Sequence, residues 1–440
     1  MRFLKIQIIT VLILSSATAY CQQADTLYNL QECLDIAIRN NLDVKRSELD
    51  MYRSRVYYNQ ARANLLPTLN GEVTHNFNNG RFFDDATGNY VNNSSKLAFY
   101  NLSSRMTVFN GLSLINAIRQ TSLAYQAGKM DFLQAKNDIS LNVITAYLQV
   151  QNTTDQMVQA ETQVVVSKNQ VDRLAVLNKD GNATPAEFYN LKGQLANDKV
   201  SLINAQNNLI SAKIDLLQLM NVPFDSNIKF ERLPAEQLPG SYQQKQDEIY
   251  NNSLRDFASV KAASLRVQSA EKGVSVAKGS LFPTLALFGN LATNYSSNIN
   301  DPYSSQFKNN FGNSFGVGLT IPILNSFQNR NKVALAKIDL LEARYVDQTT
   351  KVQLKQNVDQ AYTNMTTAYN RYQVLTEQVD AYAEAFRTIE IRFNAGALNS
   401  VDYTVAKGNL DRSRISLINA RYEYFVRTKI LDYYQSRLTL

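Results

Sequence analysis

One histidine and two cysteines in 440 residues leave little for metal or redox chemistry. His75 has no second histidine to join it and no Cys-x-x-Cys pair occurs, so the chain has no ligand set for zinc. If an N-terminal leader is cut after Cys21, Cys33 has no partner for an intrachain disulfide. Lys and Arg outnumber Asp and Glu by 45 to 38, yet they stand singly among Asn, Gln and acidic residues. Without a basic cluster, nucleic acid is not an expected partner. No nucleophile sits at a recognisable spacing from a base, so neither an enzyme nor a cofactor is expected. Beyond residue 21 no apolar run approaches the roughly 20 residues of a membrane-spanning helix, so a membrane role would have to rest on strands.

Residues 1–21 read as an export signal. Arg2 and Lys5 precede the apolar stretch Ile6 to Leu14, and Ala17-Thr18-Ala19 offers small residues for cleavage after Ala19 or after Cys21. The bulky Tyr20 before Cys21 argues against a lipoprotein site, which takes a small residue there.

The rest of the chain is written twice. Ser201-Leu202-Ile203-Asn204-Ala205 recurs 215 positions later as Ser416-Leu417-Ile418-Asn419-Ala420. At the same offset Lys192-Gly193-Gln194-Leu195 faces Lys407-Gly408-Asn409-Leu410, and Gly181 faces Gly396. Ala61 to Leu69 matches Ala277 to Leu285, offset by 216. A period this long is not a solenoid repeat but two copies of one large unit. The expected division is a first repeat at 22–220, a linker at 221–242 with Pro223, Pro234 and Pro239, and a second repeat at 243–440.

Each repeat reads as a helix, two strands joined by a polar loop, a very long helix, a tight turn and a returning helix. Strands are expected at 67–80, 96–110, 283–297 and 309–323. Leu69, Gly71, Val73 and Phe77 alternate with polar residues, as do Ala98, Tyr100, Leu102, Met106 and Val108. Leu285, Leu287 and Leu291 repeat the pattern, then Phe311, Phe315, Val317, Leu319 and Ile321. Such strands suit either a transmembrane barrel with a wet interior or a soluble sheet packed on one side by helices. The leader and the polar segment Arg81 to Lys96 favour the barrel. Four strands cannot close one, since about eight are the working minimum, so if the strands sit in lipid the chain must oligomerise to pair its edges.

The helices carry heptads. Val143, Val150, Met157, Val164 and Val171 form one seam, mirrored by Val358, Met365, Tyr372, Val379 and Phe386. A second seam runs Ile139, Ala146, Thr153, Ala160, Ser167 and Leu174, mirrored by Ala361, Ala368, Leu375, Tyr382 and Ile389. From Leu112 to Asn178 no proline interrupts, and about 65 residues at 1.5 Å each give a helix of roughly 100 Å. It has to project from any globular body. Its far end is a hairpin in both copies, Gly181-Asn182-Ala183-Thr184-Pro185-Ala186-Glu187 and Gly396-Ala397-Leu398-Asn399-Ser400-Val401-Asp402. Glycine suits the left-handed position that ends a helix, and Thr184 or Asn399 caps the next one.

In this order the residues resemble the TolC family of outer-membrane efflux and secretion channels, over nearly the whole chain beyond the leader. The marks are Leu30-Gln31-Glu32-Cys33-Leu34-Asp35-Ile36-Ala37-Ile38-Arg39-Asn40-Asn41, Leu65-Leu66-Pro67-Thr68-Leu69 with its counterpart at Pro283, and Arg392-Phe393-Asn394-Ala395-Gly396. The resemblance implies a mainly α-helical homotrimer. Each subunit would give four strands to a twelve-stranded barrel in outer-membrane lipid, and coiled-coil helices to a periplasmic α-barrel. It implies that the tips meet a periplasmic adaptor protein, and that an inner-membrane transporter, proton-driven or ATP-driven, supplies the free energy.

Two sets of residues are then candidates for function. The tips, Gly181, Asn182, Ala183, Thr184 and Gly396, Ala397, Leu398, Asn399, are expected to dock the adaptor, with Ala397 and Leu398 facing water in the free protein. Glu377, Asp380 and Glu384 share a helix face, where the first copy has Thr162, Val165 and Asn169. They are expected to line the periplasmic gate as acidic rings, or else to be an ordinary solvated face. Phe77, Tyr100, Tyr295 and Phe311 are expected near the membrane interfaces, or in ordinary packing. The cargo expectation is small toxic compounds, ahead of protein or peptide secretion and metal-ion export. A secreted coiled-coil scaffold without a pore is the remote alternative.

Overall fold

The computed structural model describes residues 27–84, 88–181, 183–233 and 242–438. The leader expected at 1–21 and the tip residue Asn182 lie outside the described residues. The order is β1 (Leu27–Tyr28), α1 (Leu30–Asn40), α2 (Leu42–Ala63), β2 (Thr68–Asp84), β3 (Asn89–Asn110), α3 (Ser113–Lys179) and α4 (Pro185–Met220). Then follow β4 (Lys229–Phe230), α5 (Gln246–Asp256), α6 (Ala258–Gly279), β5 (Thr284–Ser296), α7 (Tyr303–Asn309), β6 (Gly312–Thr320), α8 (Gln328–Asn394) and α9 (Ser400–Tyr434). Both helices expected to be very long are 67 residues. The compact units are not the two repeats. One comprises 1–44, 136–249 and 358–440, the other 45–135 and 250–357, so each repeat contributes to both.

The second unit holds one antiparallel sheet in the order β2-β3-β5-β6. Its register decides which residues share a face. Leu69, Gly71 and Val73 stand opposite Ser104, Leu102 and Tyr100. Leu102 stands opposite Leu291, and Met106 opposite Leu287. Leu285, Leu287 and Gly289 stand opposite Leu319, Val317 and Phe315. Residues directly opposite point the same way, so the apolar alternations of all four strands fall on one face. Leu69, Val73, Phe77, Leu102, Met106, Leu287, Phe315, Val317 and Leu319 are exposed there. The other face carries Asn70, Ser103, Asn290 and Ser314 in one row. Glycines are used for close cover: a Cβ on Gly289 would come within 3.0 Å of the Phe315 ring, and one on Gly316 within 2.5 Å of the Phe288 ring.

The strands depart from the sequence expectation in four places. The first pair is longer than 67–80 and 96–110, because most of the segment taken as the polar loop Arg81 to Lys96 is paired strand, Asp84 facing Asn89. A shift between Thr107 and Phe109 puts Phe109 opposite Leu285 and leaves Val108 in a bulge. The third and fourth strands are Thr284–Ser296 and Gly312–Thr320, shorter than 283–297 and 309–323, so Phe311 and Ile321 flank β6. The loop between them also contains α7. There Gln306 is buried, accepting from the Ser296 amide at 3.0 Å and donating to the carbonyls of Ser296 at 3.0 Å and Asp301 at 2.8 Å. Tyr303 and Phe307 of α7 meet Tyr295 and Tyr100 at ring-centre distances of 4.7 and 5.3 Å. His75, on β2, places Nε2 3.1 Å from the Tyr100 hydroxyl and is thereby satisfied.

Strand turns into helix the same way in both repeats. Gly111 and Leu112 have φ of 63° each, and their counterparts 215 positions on, Ser326 and Phe327, have 51° and 60°. Positive φ is costly for bulky residues, so the recurrence marks a turn that both copies require. At Gly111 a Cβ would lie 2.5 Å from the Gly279 carbonyl oxygen, so only glycine allows α6 and the start of α3 to meet there.

In the first unit, both expected heptad seams are covered. Val143, Val150 and Val171 are buried, as are Val358 and Met365, and no residue of either seam is exposed. Lys229 and Phe230 of the linker pair in parallel with Leu27 and Tyr28. The linker is pinned to α3, where the Tyr147 hydroxyl and the Gln151 amide donate to the Glu231 carbonyl at 2.5 and 2.8 Å.

Candidate functional site

The two hairpin tips are built by local rules. At the first, Gly181 takes φ +76° after α3. Thr184 then caps α4: its hydroxyl accepts from the Glu187 amide at 3.3 Å, while the Glu187 carboxylate accepts from the Thr184 amide at 3.0 Å. Pro185 fills the first helical turn, which needs no amide donor. At the second tip Gly396 has φ +75°. Its amide donates to the Phe393 carbonyl at 3.1 Å and the Ala397 amide to the Arg392 carbonyl at 2.9 Å, the bond pair of a Schellman motif. The Asn399 side chain accepts from the amides of Val401 and Asp402 at 2.9 and 3.0 Å.

These tips close on a shared core. Val171 and Leu174 of α3, Leu191 of α4, Phe393 of α8 and Tyr403 of α9 are buried together, with Ala183 and Leu398 packed against them. Phe393 and Tyr403 stack at 4.7 Å. Leu398, expected to face water, is therefore half-buried in the molecule's own tip, and only Ala397 of that pair is exposed. The turn sequence could not reveal this, because the cluster draws residues from both repeats. The Arg173 guanidinium further ties α3 to the end of α8, donating to the side chain and, at 2.6 Å, the carbonyl of Asn394.

A buried ionic cluster above the tips escaped the sequence reading. The Lys407 ammonium of α9 is 2.6 Å from Asp411 and 3.1 Å from Asp198 of α4, with the Lys407 and Asp198 side chains 4% and 7% exposed. Ser167 of α3 donates to Asp198, as does Gln194 at 2.8 Å. Burial pushes the Asp411 carboxyl above its ordinary pKa, opposed by the hydrogen bond and charge of Lys407. The repeat counterpart Lys192 is exposed, so nothing in the shared Lys-Gly motif gave the pair away.

Glu377, Asp380 and Glu384 are all exposed on α8. They are not equivalent. Arg387 binds both carboxylate oxygens of Glu384, its nearest contact 2.6 Å, and these hydrogen bonds with its charge hold the carboxyl below the usual range. Among the described residues, no cluster of His, Cys, Asp and Glu could hold a metal ion.

Sequence comparison now bears on this geometry. The family described as outer membrane efflux protein matches residues 33–222 and again 249–428. The chain belongs to that family. Two separate matches in tandem are the duplication itself, and they place this efflux-family chain in the outer membrane with a periplasmic helical barrel. Outer membrane protein TolC of Salmonella enteritidis is 22% identical over 412 residues, covering 92% of this chain and 81% of that protein. Cation efflux system protein CusC of Escherichia coli K12 is 22% identical over 406 residues, covering 88% and 81%. The CmeC outer membrane channel of Campylobacter jejuni has the same fold, with a TM-score of 0.78 at 16% identity over 93% of this chain and 85% of that one. The fold class is accordingly mainly α-helical in two tandem repeats with a β-barrel portion, and the general role is that of an efflux channel.

Proposed function

We propose that the chain is one third of a passive outer-membrane conduit through which a tripartite system expels small toxic compounds. The observation that supports it most is the sheet, which has an exposed apolar face on all four strands and two unpaired edges, β2 and β6. Such a sheet is stable in lipid only when other copies pair its edges. Three copies supply twelve strands. The free energy of export comes from an inner-membrane transporter, reached through a periplasmic adaptor.

The tips are the adaptor-docking loops in this reading, with Gly181, Thr184, Gly396, Ala397 and Asn399 at the surface. Because Leu398 also packs the tip core, the informative variant is Ala397→Arg. It is expected to abolish export of a toxic dye in complemented cells while leaving detergent-extracted trimers at full yield. Unimpaired export would remove the second tip from the docking surface.

Glu377, Asp380 and Glu384 line the periplasmic mouth as acidic rings that attract cations, Glu384 least because Arg387 occupies it. In planar bilayers the protein is expected to conduct as a trimer and to be blocked by divalent cations from the periplasmic side. The triple change of these residues to Ala is expected to relieve that block; unchanged block would return the three to an ordinary solvated face. The likeness to CusC keeps cation export as a second reading of the cargo, and the same acidic face is what favours it.

A further inference from the structure

We infer that α7 is a lipid clamp on the outside of the sheet, holding an acyl chain of an anionic phospholipid in the crevice beneath it and meeting the headgroup with Lys96 and Lys308. The inference rests on the reading that the sheet's apolar face meets lipid, and adds a particular lipid to it.

Strand register places α7. Tyr100 stands opposite Val73 and Thr293, and Ala98 opposite His75 and Tyr295, so all six point to the apolar face. Helix α7 lies across them. Phe307 and Tyr303 cover Tyr100 and Tyr295, the Thr293 hydroxyl donates to the Phe307 carbonyl at 2.7 Å, and the Asn310 side-chain amide donates to the Asn294 carbonyl at 2.9 Å. The Tyr100 hydroxyl joins His75 to the Tyr303 hydroxyl. The polar groups on this part of the face are thus spent on holding a helix against it.

Its height is that of the outer membrane surface. β5 starts at Thr284, close behind α6, and runs away from the helices. Thr293 lies about nine residues along it, roughly 30 Å of strand. At a tilt of about 40° that is a rise of about 23 Å, near the top of an apolar band about 25 Å tall. Aromatic rings gather at this level and lysines reach lipid phosphates there.

The crevice has a volume of about 280 Å³, with Gly71, Val73, Leu102, Leu291, Phe307 and Phe311 among its walls. Space remains over Gly71, where a Cβ would meet nothing nearer than Leu102 at 3.8 Å. Leu102 and Leu291 belong to the central strands β3 and β5, so further copies that pair with the edges β2 and β6 leave the crevice open to the bilayer. Above it, Lys96 continues the apolar row of β3 opposite Phe77, and Lys308 follows Phe307; both lysines are exposed. No acidic residue occurs from Pro302 to Phe311. An apolar slot with two cations at its outer rim is complementary to an anionic amphiphile.

The chain has no tryptophan, so one introduced indole reports alone. Phe311→Trp at the crevice and Val317→Trp on the open apolar face of β6 are reconstituted, in the full chain, into phosphatidylcholine vesicles. These contain a small and equal fraction of either brominated phosphatidylglycerol or brominated phosphatidylcholine. At Phe311→Trp the anionic lipid is expected to bind and quench more tightly, by about fivefold for each lysine. The excess should vanish when Lys96→Gln and Lys308→Gln are combined, and when Gly71→Leu fills the slot. At Val317→Trp both lipids should quench alike. Phe307→Trp, on α7 itself, repeats the measurement should Phe311→Trp assemble poorly. Equal quenching by the two lipids at the crevice, or an excess that survives both changes, overturns the clamp and leaves the lipid-facing sheet standing. No quenching at either position overturns both.

Discussion

Lys407→Ala is expected to destabilise the paired hairpins by about 3 to 5 kcal/mol, the cost of leaving buried charge without its partner. The side chain is nearly inaccessible and its ammonium is the cation between Asp198 and Asp411. Removing it leaves two carboxylates from two helices facing each other away from water. Burial already raises the Asp411 pKa in the intact protein, and Lys407 is what restrains the rise. The sign of the pH dependence follows. A carboxyl whose folded pKa exceeds its unfolded value binds its proton earlier in the folded state, so it costs stability at high pH and returns it as pH falls through the folded pKa. The variant's deficit should therefore be largest near pH 8 and shrink on acidification, while the parent changes less. Thermal unfolding of the detergent-solubilised protein at both ends of that range reads this directly. Adding Asp198→Asn and Asp411→Asn should restore much of the loss, because a neutral cluster carries no uncompensated charge. A Lys407→Ala deficit that is small, or that grows towards low pH, would mean the cluster is wetter and less coupled than its geometry implies.

That cluster marks where the sequence stops being readable. The tips were legible because their determinants are local: glycine at the left-handed position and the Thr184–Glu187 reciprocity lie within a few residues of each other. The heptads were legible because each seam repeats along one helix and again in the second copy. The Lys407–Asp198 contact spans 209 positions and leaves no periodic trace. Leu398 and Ala397 are neighbours in a turn, and which of them turns inward is set by a core gathered from four helices. The strand centres were legible because one face is mainly apolar on every strand. Their outer ends were not, since β5 begins pairing with β3 only at Leu97, and the β2–β3 hairpin beyond it has no third strand to face. Asn-rich residues suffice there, and without an apolar face there is no alternation to read. Helix α7, at seven residues, is too short for a 3.6-residue period to declare itself.

Arginine placed on opposite faces of β6 should have opposite consequences. Val317 stands opposite Leu287 on the apolar face, and Ser314 stands opposite Asn290 on the other. If the apolar face meets lipid, Val317→Arg costs about 2 to 4 kcal/mol near the bilayer midplane. In the trimer proposed above, three copies per barrel would multiply that penalty, and the amount of folded protein in the outer membrane should collapse. Ser314→Arg puts the same charge into water and should leave assembly intact, announcing itself only as altered ion selectivity in a planar bilayer. Two nearby glycines sharpen the contrast. Phe315 covers Gly289 on the apolar face and Phe288 covers Gly316 on the polar one, so each face has an aromatic ring laid over a glycine of the neighbouring strand. Assembly lost with Ser314→Arg and kept with Val317→Arg would turn the barrel inside out. Loss with both would mean that neither face of β6 is wet, and the sheet would have to be covered by protein on both sides.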